Sequence, residues 1–332
     1  MASGRGGGWS VSGVGCGAPD GPPGPARAGL ADPLRRGLLA GGLLAAAGWL
    51  LPGLPVRAAP VMAPTRLALL EQNLSSHSLS DRLVTLPGSG RRFRLFTAVP
   101  RHPAPAKGWP VLYCLDGNAV FDRLTAADLA AVPGLVVLGV GYDTDLPFET
   151  RARALDYTPP LSPDGPVPDP MRPGRMAGAA DRFLPLLTGP LRAQAEAGLA
   201  IDPDRRSLWG HSYGGLFVLF AWLTASQSFA RYVAASPSLW WGDGVMTRLE
   251  EAHPPPRDRP LLLSFGDSER RSDDPRPPDG APRPTLAFGQ RMQAQGAPVS
   301  LHQIADAGHG AALTRSIPLA LDWATRRGEA ES

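Results

Sequence analysis

Lysine and cysteine are nearly absent from this chain. Lys107 is the single lysine among 33 basic residues, a bias toward arginine that by itself points to no function. The two cysteines are Cys16 and Cys114. Cys16 lies in a segment expected to be removed and Cys114 in a predicted buried strand. No intrachain disulfide is therefore expected, and Cys114 reads as a small core residue. No C-x-x-C or H-E-x-x-H spacing occurs, which leaves no case for a structural or catalytic metal. A surplus of either charge is missing too. Residues 1–58 hold five arginines and two aspartates, so the remainder carries 28 residues of each sign. The formal +3 of the whole chain is then no argument for a nucleic-acid or membrane partner.

One long uncharged run is present, Gly37 to Val56, and two prolines, Pro52 and Pro55, break it. The pair Arg35-Arg36 precedes it and the small-residue site Val56-Arg57-Ala58 follows. That is the order of an export signal, and the adjacent arginines before "GLL" give it a twin-arginine look. The expectation is export of the folded protein, to the periplasm, with cleavage near Ala58. An uncleaved inner-membrane anchor is the alternative, weakened by the glycine, alanine and proline content of the run. Residues 59–332 are expected to form a single domain; with 43% hydrophobic and 19% charged residues overall, the chain suits a globular protein.

From about residue 82 onward, strand-like and helix-like segments alternate. "RRFRLFTAVP", "WPVLYCLDG", "GLVVLGVGY", "RRSLWG", "RYVAASPS", "RPLLLSFGD" and "PVSLHQIAD" read as strands. Several are short apolar runs ending in glycine, as in strands buried on both faces. Helices are predicted over 118–131, 179–196, 213–224, 285–295 and 314–326. Such alternation gives a mostly parallel sheet with helices on both faces, and ligands bind beyond the carboxyl ends of its strands. Two proline-rich insertions, 158–178 and 266–284, interrupt the rhythm; the first, with seven prolines, is expected to lack regular structure and to overhang the site as a lid, the second to be largely disordered.

The stretch Gly210-His211-Ser212-Tyr213-Gly214 fits G-x-S-x-G between a predicted strand and a predicted helix. A nucleophile on that sharp turn needs small neighbours, which Gly210, Gly214 and Gly215 supply. The turn lifts the Ser212 hydroxyl clear of the sheet and leaves the Tyr213 N–H at a helix start, aimed at a developing oxyanion. A serine hydroxyl needs a base, and in this architecture the partners follow in the order Ser, acid, His. His309, in the glycine-flanked "ADAGHGAAL", is the candidate base; His302 sits inside a strand pattern, which favours a core or surface role. His211 is expected to point away from the serine, and His77, His102 and His253 fall outside the required order. The acid is sought just past "LLLSFGD", with Glu269 preferred, Asp267 second, and Asp273 and Asp274 further along. The second oxyanion donor is expected after the third strand, at the Asn118 N–H, where Gly117 permits close backbone approach.

Together "LYCLDGNAVFDRL", "RALDYTP", "GHSYGGLFVLF", "ASPSLWWG" and "DAGHG" resemble the esterase-D-type α/β-hydrolases, and within them the exported hydrolases of trilactone siderophores of enterobactin and salmochelin type. The resemblance spans about residues 75–325. It implies an α/β-hydrolase fold and a serine esterase working through an acyl-enzyme. Ser212 and His309 would carry the chemistry, and the Tyr213 and Asn118 amides would form the oxyanion hole. It implies substrate-binding roles for Arg153, near anionic catecholates, and for Trp240 and Trp241, beside the pocket. A salt bridge from Arg153 to Asp156 and core packing of one tryptophan are the structural alternatives. No cofactor is implied; iron would arrive only with the substrate, and the partner is a small-molecule ester, with no protein partner inferred. Esterases of feruloyl, acetyl-sugar or other acyl and aryl esters, an acyltransferase, and a binding protein that has lost the chemistry are the rivals.

Overall fold

Short apolar runs that end in glycine become strands buried on both faces, and their alternating side chains divide between two helix layers. The computed structural model describes residues 62–269 and 283–326, so the expected export segment lies outside the described residues. In chain order the elements are β1 (His77–Thr85), β2 (Arg92–Pro100), β3 (Trp109–Leu115), α1 (Gly117–Phe121), α2 (Ala126–Ala131), β4 (Val136–Tyr142), α3 (Thr150–Tyr157), β5 (Val167–Pro168), β6 (Met176–Ala177), α4 (Ala180–Leu186), α5 (Arg192–Ala195), β7 (Ile201–His211), α6 (Tyr213–Thr224), β8 (Arg231–Ala235), α7 (Val245–Ala252), β9 (Leu261–Gly266), α8 (Arg283–Ala294), β10 (Val299–Ile304) and α9 (His309–Thr325).

Eight strands form one sheet in the order β1-β2-β4-β3-β7-β8-β9-β10. Strand β2 runs antiparallel to both neighbours, β1 and β4; every pairing from β4 to β10 is parallel. This is the α/β-hydrolase arrangement. On one face Tyr113, Leu115, Leu138 and Leu208 pack against Tyr157, Phe183, Phe217 and Trp222. On the other, Leu112, Cys114, Val137 and Trp209 meet Phe121, Leu313, Leu321 and Trp323. Period-2 alternation along β3 and β7 thus serves both layers. Cys114 is a core residue, its thiol pushed up by burial.

Helix α6 has the predicted bounds, and residues 213–223 of it are all buried. Its sequence is apolar on every side, as expected of a helix covered by neighbours all round. Elsewhere the sequence pattern and the chain part company. The helix expected over 118–131 is two helices, because Thr125 starts a second with a capping box: its Oγ1 accepts from the Asp128 N–H, and the Asp128 carboxylate accepts from the Thr125 N–H. The helix expected over 179–196 opens into a wide π-type turn at Leu187–Leu191 between α4 and α5. Pro190 lies within that turn and has no N–H to give a preceding carbonyl.

Helix α9 begins at His309, ahead of the predicted start at 314, with Gly308 as N-cap. The insertion 158–178 is not without regular structure, for β5 and β6 pair antiparallel within it. Its turn is tied down by Asp169, whose Oδ1 accepts from the Trp241 indole N–H at 3.1 Å and the Met171 N–H at 3.0 Å. The body of the second insertion, with Asp273 and Asp274, lies outside the described residues.

Candidate active site

The carboxyl ends of β3, β7, β8 and β9 converge on one place. At the β7–α6 junction Ser212 takes φ 59° and ψ −116°, a conformation that costs on the order of 1–3 kcal/mol for a residue with a side chain. The surroundings enforce it. A Cβ on Gly210 would stand 2.4 Å from the Gly214 carbonyl oxygen, and one on Gly215 would stand 2.8 Å from the Ala235 oxygen. A Cβ on Gly214 would meet nothing nearer than 3.6 Å, so of the three glycines expected to be required, Gly214 has room for a methyl group. The backbone around Ser212 is bonded on both sides: its N–H donates to the Ala235 oxygen at 3.0 Å, and its oxygen accepts from Leu216 at 2.9 Å and from Ser238 at 3.2 Å.

Tyr213 is the first residue of α6, and its N–H belongs to the first turn, where no intrahelical acceptor exists. Burial pushes its phenol up to about 12. Asn118 stands in the first turn of α1 and is buried. Its side chain is committed to the end of β4, accepting from the Tyr142 N–H at 2.9 Å and donating to the Tyr142 and Thr144 carbonyls at 3.2 and 2.9 Å. Only its backbone amide is left for the site.

His309 and Glu269 meet. The Glu269 Oε2 lies 3.0 Å from His309 Nδ1, while its Oε1 accepts from the Gly266 N–H at 2.7 Å and from the Ser236 hydroxyl. A carboxylate on Nδ1 assigns the ring proton there and leaves Nε2 as the basic nitrogen. Asp267 takes a different position. It accepts from the Asp306 and Ala307 N–H groups at 2.9 and 3.2 Å and from Ser268, pinning the loop that leads to His309. The Asp306 N–H and the Ser268 hydroxyl hold its carboxyl below the usual range. A Cβ at Gly266 would collide with the Ala307 oxygen at 2.0 Å, so this glycine lets the His309 loop approach the end of β9. His302 lies exposed on β10, the edge strand.

Ser212 Oγ has Ser238 Oγ as its hydrogen-bond partner, at 3.2 Å; no hydrogen bond to His309 is formed in this structure. Such contacts often tighten only when substrate binds. His211 packs against His309. It is buried, its ring centroid lies 4.6 Å from that of His309, and its Nε2–H donates to the His309 carbonyl at 3.0 Å. Burial, and then the neighbouring His309, drive its basicity well down.

Arg153 pairs with Asp116 rather than with Asp156: Nε to Oδ1 is 3.0 Å and Nη2 to Oδ2 is 2.9 Å. Its guanidinium also lies over the rings of Phe148, Tyr157 and Tyr213, and Nη2 reaches the His211 carbonyl at 3.4 Å. Asp156 belongs to Arg91 and the Tyr142 hydroxyl. Trp241 cannot face a substrate, because it is fully buried in the core with its indole N–H on Asp169. Trp240 is 36% exposed, with its ring 6.1 Å from that of Tyr213. A cavity of about 860 Å³ opens nearby, lined by residues of the stretches 62–72 and 122–127 and by Pro147 and Phe148. It shares Phe148 with Arg153 but touches none of Ser212, His309 and Glu269.

Three residues of the site carried no sequence signal that set them apart: His211, Ser236 and Ser238. The last two flank Pro237 in "ASPS", where Ser236 takes φ 43° and turns the chain back toward Glu269. Among the described residues no group of three His, Cys, Asp or Glu side chains is disposed to hold a metal ion, and no helix is long and apolar enough to cross a membrane.

Comparison with known proteins fits this geometry. The Esterase family model matches residues 171–312, which include the elbow, Glu269 and His309. The apo-salmochelin esterase of Escherichia coli O6:H1 is 45% identical over 168 residues, 49% of this chain and 52% of that one. The ferri-bacillibactin esterase BesA of Bacillus subtilis is 34% identical over 175 residues, 48% of this chain and 58% of its own. The chain thus spans about half the length of these curated relatives. The solved structure of the enterobactin and salmochelin hydrolase IroE superposes with a TM-score of 0.63 at 32% identity, covering 78% of this chain and 100% of that one. With a solved relative matched over its whole length and the family model running across the strained serine and its candidate partners, the chain belongs to the esterase-D-type family of α/β-hydrolases.

Proposed function

We propose that the protein is a serine esterase in which Ser212 attacks an ester carbonyl. As the Oγ–carbon bond forms, the Ser212 proton passes to His309 Nε2, and Glu269 stabilises the imidazolium through Nδ1. The Tyr213 and Asn118 N–H groups receive the oxyanion; each such donor contributes about 10²–10³ in rate. The intermediate collapses, His309 returns the proton to the leaving alcohol, and an acyl-enzyme remains. Water then repeats the cycle and frees Ser212.

The observation that carries this reading is the Glu269–His309 pair at 3.0 Å, at the same strand ends as a serine held at positive φ by its neighbours. Binding without catalysis would need neither the strain nor the oriented imidazole.

The substrate favoured is the trilactone of a catecholate siderophore, because the relatives named above are esterases of salmochelin, bacillibactin and enterobactin. The exposed Trp240 offers an aromatic face for a catechol ring, and Arg153, paired with Asp116, a guanidinium edge for an anionic group. Residues 1–58 would direct the protein out of the cytoplasm. Incubation with enterobactin tests the substrate: the linear trimer should appear. Turnover of simple aryl esters alone would retain the esterase and remove the siderophore.

A further inference from the structure

We infer that Ser238 is a catalytic residue, a fixed hydrogen-bond donor to the Ser212 oxygen; this rests on Ser212 being the nucleophile. The Ser238 hydroxyl lies 3.2 Å from Ser212 Oγ in a residue that is 1% exposed. Its position is not that of a freely rotating surface side chain. The Ser238 N–H donates to the Ser212 carbonyl at 3.2 Å, the Ser238 carbonyl accepts from Trp241 at 3.0 Å, and the Ser212 N–H is tied to Ala235 at the end of β8. Elbow and β8 loop are thus bonded backbone to backbone, and the separation of the two hydroxyls is set before any substrate arrives.

The direction of the bond follows from accounting for hydrogens. Among the described residues Ser212 Oγ is the one partner of the Ser238 hydroxyl. In the resting pair either hydroxyl can donate; once the Ser212 hydrogen is directed at His309, Ser238 is the donor, because its buried hydroxyl would otherwise leave its hydrogen unused. The transfer of the Ser212 hydrogen to His309 is the one the mechanism requires. The opposite direction would spend that hydrogen on Ser238.

A donor on Oγ acts to the extent that Oγ carries partial negative charge in the transition state, where the proton is in transit between Oγ and Nε2, and this happens twice. In acylation the proton leaves Oγ as the new bond to carbon forms. In deacylation the bond from carbon to Oγ breaks, and its electron pair takes the proton back from His309. Ser238 keeps its own proton throughout and changes only the stability of charge on its neighbour. The oxyanion hole acts on the other oxygen, so the two contributions are separate. A hydrogen bond to a charged oxygen is roughly twice as strong as one to a neutral oxygen, which sets the expected effect at about tenfold in each step.

The test compares the full-length protein with its Ser238→Ala and Ser212→Ala variants, using stopped-flow bursts with p-nitrophenyl acetate. In Ser238→Ala both the acylation and the deacylation rate constants should fall about tenfold. Ks, from saturation of the burst rate, should stay within twofold, and the near-ultraviolet circular dichroism of Tyr and Trp should be unchanged. A role in packing alone would move Ks or the spectrum. Rate constants within twofold of wild type, or a fall in only one step, would overturn the inference. Ser212→Ala should show neither burst nor turnover; if it does, the nucleophile itself is misassigned and the role of Ser238 goes with it.

Discussion

Glu269 and His309, forty residues apart in sequence, meet at 3.0 Å between Oε2 and Nδ1, and that contact fixes one edge of the imidazole. Glu269 is itself held by the Gly266 N–H and by Ser236, so the carboxylate is positioned before it does any work on the histidine. Asp267, two residues earlier, spends its oxygens on the backbone of the loop.

These two carboxylates should therefore differ in their mutants. Glu269→Gln should lower kcat for a p-nitrophenyl ester by on the order of 10³–10⁴, the size seen when a triad acid loses its charge. Asp267→Asn should cost less than tenfold in kcat and act through the loop. Steady-state kinetics on both decides it, and the reverse ranking would exchange their roles.

The histidines offer a second comparison. His309→Ala should abolish turnover, whereas His302→Ala, on an exposed edge-strand position, should keep kcat within about threefold. Loss of activity in His302→Ala with retention in His309→Ala would mean the wrong base has been named.

Gly210, Gly214 and Gly215 look equivalent in the motif, but their surroundings are not. Gly214→Ala should fold with an unchanged or slightly raised thermal midpoint, since alanine is the better helix residue by about 1 kcal/mol and finds only ordinary contacts there. Gly210→Ala and Gly215→Ala should unfold at clearly lower temperature, because each new methyl group meets backbone inside 3.0 Å. Differential scanning fluorimetry of the three separates them; equal midpoints would contradict the tight elbow.

Acid should destabilise the protein through His211 and His77, both buried and both with basicity depressed first of all by desolvation. The unfolded histidines take up protons near pH 6.5 and the folded ones do not, so stability present above that pH is lost as the pH falls below it. For His211 the loss amounts to about 1.4 kcal/mol per pH unit until its folded pKa is reached. Urea titrations between pH 7 and pH 5 should show this slope, and His211→Gln should flatten it. An unchanged slope in that variant would show that His211 already titrates freely when folded.

Much of the fold was legible because short apolar runs ending in glycine have few alternatives to a two-sided strand, and α6 kept its predicted bounds since nothing in it breaks a helix. The helix errors have local causes. Thr125 starts a new helix through its side chain, and Pro190 withholds a hydrogen bond, and both effects compete with a periodicity that would otherwise run on. The helix predicted from 314 starts earlier: the glycines flanking His309 look like loop in sequence, yet Gly308 caps α9 and His309 is its first residue. At the site, chain order and strand position pointed to Ser212, His309 and Glu269. The partners of Arg153 and the burial of Trp241 were not legible, because both depend on which elements meet across the sheet. Arg153 matched a family position, but only the tertiary arrangement, which places Asp116 just past β3 within its reach and gives Asp156 to Arg91, selects Asp116 over Asp156. Ser238 was hidden for the same reason, since a serine three residues beyond a strand end gives no hint of which hydroxyl it will meet.

The most direct measurement of the central claim is the rate and site of labelling by an organophosphonate. A single adduct should map to Ser212 by mass spectrometry, be absent from Ser212→Ala, and form at least about 10³-fold more slowly in His309→Ala. An adduct on another residue, or labelling of His309→Ala at the rate of the unaltered protein, would contradict it.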